Sequence, residues 1–141
     1  MRISAVKSLD SIKEEFRDVV KARYYRIYNG LHPDVDKSIF TDCAVGSVIF
    51  RMNAGLTHAT LLDQGLRLSQ ELGETHTVIR DFYNVDHFNI SIGDALEIRN
   101  QQALDARSYW LRKNQLLSLI ELKQSLREIQ EIDYSFPVNF L

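Results

Sequence analysis

Apolar side chains recur every three or four residues along most of this chain, which is the period of a helix packed on one side. The first such stretch covers residues 9–31, and Ser8 or Asp10 is placed to cap its start. Gly30 and Pro33 mark its end, because the residue before a proline is pushed out of the helical region. The pattern therefore predicts a long first helix.

The same period continues through the rest of the chain. It marks four further stretches, at residues 44–56, 59–75, 88–96 and 104–132. Residues 81–86 (DFYNVD) are predicted to be a connection, with Asp86 capping the next helix. No stretch shows strict alternation of apolar and polar positions bounded by turn residues.

We therefore predict an all-α fold of about six helices, with globin-like packing around an apolar pocket. The whole chain, residues 1–141, is predicted to be a single domain, with a core at about 9–132 and a tail at 133–141.

Composition narrows the class of protein. A formal net charge of −2 argues against a surface for nucleic acid or anionic lipid, since both need a basic excess. A single cysteine, Cys43, forms no internal disulfide, which favours a reducing compartment. Charges interrupt the first residues too often for a signal peptide, and no run approaches the ~18–20 apolar residues of a membrane span. We predict a cytoplasmic domain without a nucleic-acid or membrane partner.

Three groups of residues, taken in order, resemble the globin family. The first is YYRIYNGLHPDVDKSIF at residues 24–40, with an aromatic pair, a His-Pro turn, an acidic residue and a phenylalanine. The second is LGETH at 72–76, followed by the valine and phenylalanine of NVDHF and by GDAL at 93–96. The third is Trp110, early in the last helical stretch. The resemblance covers about residues 9–126.

This resemblance implies a haem b group. His76 matches the proximal ligand, whose neutral imidazole binds the iron. Tyr25 matches the distal tyrosine of many bacterial globins, whose hydroxyl donates a hydrogen bond to a ligand on the iron. Positions that match residues around the porphyrin are Phe40, Val85, Phe88 and Ile92.

Residues 41–50 depart from the family pattern, because they lack the usual distal histidine or glutamine. Ala44, Ser47 or Val48 would face the ligand there, which leaves Tyr25 as the strong distal donor. The function that the resemblance implies is reversible binding of a diatomic gas, oxygen or nitric oxide, by a carrier, scavenger or sensor that is not an enzyme. A homo-oligomer is left open.

Two alternatives remain beside this interpretation. One is a haem-free globin-fold sensor or regulatory module, whose pocket holds an apolar small molecule or nothing. The other is a helical subunit of a larger assembly, in which the wide apolar stripe on residues 116–129 meets a partner. Fold class by itself does not decide among them.

The same residues have structural interpretations as well. His76 near a helix end interacts with the helix dipole, and Tyr25 belongs to an aromatic core cluster. Cys43 is a small buried apolar group. His58 and His87 are expected at the surface, because polar or turn residues flank both.

Overall fold

The computed structural model describes residues 7–141 and shows a mixed α/β fold. In chain order its elements are α1 (Leu9–Tyr28), β1 (Ile39–Val45), β2 (Val48–Asn53), α2 (Leu56–Glu71), β3 (His76–Arg80), β4 (Asp86–Ser91), α3 (Ile92–Leu122), α4 (Leu126–Gln130) and β5 (Asn139–Phe140). The strands form a three-stranded sheet in the order β2-β1-β5 and a separate hairpin of β3 and β4. The prediction of an all-α, globin-like fold is therefore wrong.

The first helix agrees with its prediction. Ser8 caps α1, and its hydroxyl accepts a hydrogen bond from the Ser11 backbone N–H at 3.1 Å. The helix ends at Tyr28, and Gly30 follows with φ +82°, a conformation in which a side chain would be strained. A helix cap and a glycine that ends a helix are local signals, so the sequence alone was enough to predict both.

The stretch 44–56 is a β-hairpin and not a helix. Strands β1 and β2 pair antiparallel up to Val45 opposite Val48, so only Gly46 and Ser47 form the turn. Gly46 has φ +59°, and a two-residue turn with glycine first is typical of hairpins. The apolar residues of this stretch fall at helical spacing, but several of them are β-branched, and β-branched residues suit a strand. The spacing alone therefore did not identify the element.

The stretch 88–96 is also misassigned at its start. Residues up to Ser91 belong to β4, and α3 begins at Ile92. Ser91 caps α3 by accepting a hydrogen bond from the Asp94 N–H at 3.2 Å, the role predicted for Asp86. The predicted connection at 81–86 is confirmed for residues 81–85, which form the turn region between β3 and β4, whereas Asp86 is the first residue of β4.

Helix α3 contributes residues to both hydrophobic core clusters of the molecule. Its 31 residues span about 46 Å at the usual helical rise. Its C-terminal half contributes to core cluster A, which contains Val20, Ile27, Ile39, Ala54, Tyr109, Leu116, Ile120 and Phe136. Its N-terminal half contributes to core cluster B, which contains Cys43, Met52, Leu66, Ile79, Ala95 and Ile98.

The predicted interaction stripe on 116–129 is largely used within the chain. Leu116, Ile120 and Ile129 are buried, whereas Leu122 and Leu126 remain exposed. The final residues form β5, which pairs with β1 next to Ile39 and Phe40. Within residues 7–141, none of the helices has an apolar stretch long enough to span a membrane.

Candidate ligand-binding site

A cleft of about 330 Å³ lies where α2, β2, β3 and α3 meet. Its apolar lining consists of Met52, Leu61, Leu62, Leu66 and Val78. Its polar lining consists of Asn53, His58, Thr77, Arg80, Asn84 and Gln102. An apolar wall with a few polar groups is the usual composition of a small-molecule site, and the volume is within the usual range.

The first turn of α2 is fixed against the end of α1. Gly55 precedes α2 with φ +103°, and a Cβ atom there would lie 2.6 Å from the Ile27 carbonyl oxygen. The Thr57 hydroxyl donates a hydrogen bond to the Tyr28 carbonyl at 3.1 Å. Only glycine allows this close approach between the start of α2 and the end of α1. The approach fixes the first turn of α2 and, with it, His58, which lines the cleft.

The His58 ring packs against Gly30, where a Cβ atom would come within 2.7 Å of Nε2. Burial lowers the pKa of His58 below its usual value, although a hydrogen bond with the backbone of Asn29 opposes this. The imidazole is therefore neutral at pH 7, and it contributes a polar but uncharged surface to the cleft.

Gln102 is the most unusual residue of the lining. It is 1% exposed, and its Nε2 donates a hydrogen bond to the Asn53 carbonyl at 2.6 Å. A carbonyl only accepts hydrogen bonds, so this contact fixes which end of the amide is the nitrogen. Its Oε1 is buried and has no hydrogen-bond partner within the described residues. A buried acceptor left unpaired costs free energy, about 1–3 kcal/mol.

Arg80 and Asn84 come from the β3–β4 hairpin. The Arg80 guanidinium donates to both carboxylate oxygens of Asp86, through Nε at 2.9 Å and Nη2 at 3.2 Å. This pairing raises the pKa of Arg80, and it leaves the pair without net charge. Asn84 adopts φ +60° in the turn, a conformation that asparagine tolerates better than most residues.

Asp81 holds the hairpin turn in shape. Its Oδ1 accepts hydrogen bonds from the backbone N–H groups of Tyr83 at 2.8 Å and Val85 at 3.0 Å. Its Oδ2 lies 2.8 Å from Nε2 of His87. The turn that carries Asn84 is thus braced by three contacts to one carboxylate.

Gly65 leaves room on the α2 side of the cleft. It is an interior position of α2 that lines the cleft, and a Cβ atom there would have nothing within 4 Å. A larger side chain at Gly65 therefore enters the cleft without a backbone clash.

The seven positions predicted to surround a haem lie on seven different elements or turns. Tyr25 is on α1, Phe40 on β1, Val48 on β2, His76 on β3, Val85 in the hairpin turn, Phe88 on β4 and Ile92 on α3. His76 and Phe88 line a shared surface depression of about 230 Å³. Tyr25 is 66% exposed and stacks on Tyr28.

The other predicted positions do not join this depression. Phe40 is buried and packs edge-on against Phe82, with ring centroids 5.6 Å apart. Val48 and Val85 are exposed, and Ile92 packs against core cluster B. Residues 7–141 contain no group of three or more His, Cys, Asp or Glu side chains arranged to hold a metal ion. Haem binding through His76 stays a prediction from the sequence motifs.

None of the residues that line the cleft was predicted as a site residue from the sequence. Gln102 occupies the buried stripe of α3, between Ile98 and Ala106, and a polar residue on an apolar stripe is a signal that could have been used. His58 was expected at the surface but is half-buried. Its contact with Gly30 joins distant parts of the chain, so no local pattern indicates it.

Comparison of the chain with protein-family models, curated proteins and solved structures finds no match. The globin resemblance therefore rests on the sequence motifs, and the fold it implies is overturned by the two hairpins.

Proposed function

We propose that this domain binds a small organic molecule in the cleft between α2 and β3. The observation that carries the proposal is the buried, unpartnered Oε1 of Gln102, a residue that lines this cleft. Native proteins pair nearly all their buried polar atoms, so an unpaired one beside a cleft is best explained by a bound donor.

Preorganisation of the lining supports the proposal. Two glycines fix α2 on α1, and Asp81 braces the hairpin that supplies Arg80 and Asn84. A site that is already formed loses little conformational entropy when it binds a ligand. The role proposed is binding, as in a sensor or regulatory module, and no catalytic step is assigned.

The proposal is tested by fluorescence titration with N-phenyl-1-naphthylamine, an uncharged probe that brightens in apolar surroundings. We expect a single site with a dissociation constant on the order of 10 µM, given the affinity that a ligand of this size usually reaches. The Gly65→Leu variant should bind at least about tenfold more weakly, because its side chain fills the cleft.

Gly93→Leu is the matched control. Gly93 is also helical and also has nothing within 4 Å of an added Cβ atom, but it does not line the cleft. Circular dichroism should show that both variants are folded. Equal probe binding by the wild type and Gly65→Leu would rule out this cleft as the binding site.

Haem binding, the first hypothesis from the sequence, has its own test. A Soret band that forms when haemin is added and disappears in His76→Ala would restore that hypothesis. The mass of the protein in solution tests the assembly hypothesis in the same way, since an obligate subunit is oligomeric or insoluble alone.

A further inference from the structure

The charges around the cleft indicate which ligands it favours, an argument that rests on the proposed function. Among the lining residues within 7–141, Arg80 is the one with a permanent charge. Both carboxylate oxygens of Asp86 already pair with its guanidinium, at 2.9 and 3.2 Å. The ion pair has no net charge, so the cleft presents no net countercharge to a ligand.

The remaining polar groups of the lining are amides, a hydroxyl and an imidazole. His58 is neutral at pH 7, since burial lowers its pKa. Thr77 already shares a hydrogen bond with the Ser69 hydroxyl at 3.2 Å. The Nε2 of Gln102 is occupied by the Asn53 carbonyl, so its Oε1 is the acceptor that still lacks a donor.

Desolvation then decides against charged ligands. An ionised group that enters the cleft gives up part of its water, and the Arg80–Asp86 pair it meets has no net charge to replace that water. An anion would have to compete with Asp86 for Arg80. An uncharged molecule avoids this cost and still buries its apolar body against the leucine side chains of α2.

We infer that the cleft binds an uncharged organic molecule with an apolar body and an N–H or O–H group that donates to Gln102. The apolar body lies against Leu61, Leu62 and Leu66, and the donor satisfies Oε1.

Three probes with one aromatic skeleton test this inference on the full chain. N-phenyl-1-naphthylamine is uncharged and has an N–H group. Its sulfonate, 8-anilinonaphthalene-1-sulfonate, adds a negative charge, and its N-methyl derivative lacks the donor. We expect the first probe to bind about tenfold or more tightly than either of the other two.

The outcomes separate the inference from the proposed function. If the sulfonate binds as tightly as the uncharged probe, the cleft does not exclude charge and the inference fails. If the N-methyl derivative binds as tightly, the donor contact to Gln102 is wrong. If no probe distinguishes the wild type from Gly65→Leu, the cleft is not a binding site and the proposed function itself fails.

A substitution at Asp86 gives a second, positive test. Asp86→Asn leaves the Arg80 charge unpaired, so the sulfonate probe should gain about tenfold in affinity while the uncharged probe changes little. Asp36→Asn is the matched control, because Asp36 pairs with Arg26 at 3.1 Å and lies outside the cleft lining. An unchanged sulfonate affinity in Asp86→Asn would show that Arg80 does not contribute to the selection against charge.

Discussion

At the scale of single residues, one polar side chain with a distant partner lines the cleft, and another with local partners braces the hairpin beside it. Gln102 reaches the backbone of Asn53, and Asp81 holds a turn together through Tyr83, Val85 and His87. Breaking any of these contacts should cost free energy, because each is at least partly buried. Substituting one of these residues and measuring the free energy of unfolding therefore tests whether its contacts are formed.

Asp81 makes the stability of the fold depend on pH. Burial raises the pKa of Asp81, but hydrogen bonds from His87 and the backbone of Val85 and Tyr83 outweigh it and hold the pKa below its ordinary value. The folded state thus binds this proton less readily than the unfolded state. The contribution is present above the unfolded pKa, and it is lost as pH falls below about 5 and then through the lower folded pKa.

Asp81→Asn isolates this charge, because the amide oxygen still accepts the backbone hydrogen bonds. In urea unfolding, we expect the wild type to be more stable than the variant at pH 6 and the difference to shrink by pH 3. A stability difference that stays constant over this pH range would show that the Asp81 charge does not stabilise the fold.

At the scale of elements, glycine stabilises a turn that needs a positive φ but destabilises the interior of a helix. Gly46 has φ +59° in the β1–β2 turn, where a side chain is strained. Gly65 lies inside α2 with open space around it, where glycine only costs conformational entropy. The same substitution should therefore change stability in opposite directions at the two positions.

We expect Gly46→Ala to lower the free energy of unfolding by about 1–2 kcal/mol. Gly65→Ala should raise it by about 0.5–1 kcal/mol. Chemical denaturation of the two variants beside the wild type measures both effects. If Gly46→Ala is neutral, the turn at Val45–Val48 does not have the backbone conformation described.

At the scale of the whole molecule, α3 joins the two core clusters. Tyr109, Leu116 and Ile120 belong to cluster A, and Ala95 and Ile98 belong to cluster B. Because one continuous helix contributes to both, losing one cluster removes support from the other. The molecule should therefore unfold in a single cooperative transition.

Ile98→Ala tests this coupling. Ile98 is fully buried in cluster B, so the truncation should cost about 2–5 kcal/mol. Trp110 is the single tryptophan, and it lines a groove with Tyr24, which packs against cluster A. We expect the fluorescence and circular dichroism midpoints to fall together, whereas an unshifted fluorescence midpoint would mean that the clusters unfold independently.

Local signals were enough to determine several features of this protein. The Ser8 cap and the apolar period predicted α1, and the same period predicted α2 and the C-terminal half of α3. The turn at 81–86 and the burial of Cys43 were also predicted correctly. A helix satisfies its hydrogen bonds within its own segment, so a segment of sequence is enough to specify it.

The two hairpins and the cleft were decided by tertiary structure. Ile39 of β1 pairs with Phe140 of β5, 101 residues further along the chain. Gln102 follows α2 in sequence, and its side chain contacts the backbone of Asn53, which precedes α2. Gly46 and Ser47 form a turn signal that is visible in the sequence, but the apolar residues of 44–56 also fall at helical spacing. Local sequence alone does not decide between a turn and a helix there. A strand needs a partner strand to satisfy its backbone, and a buried amide needs a partner to offset its desolvation, so neither is specified by its own segment alone.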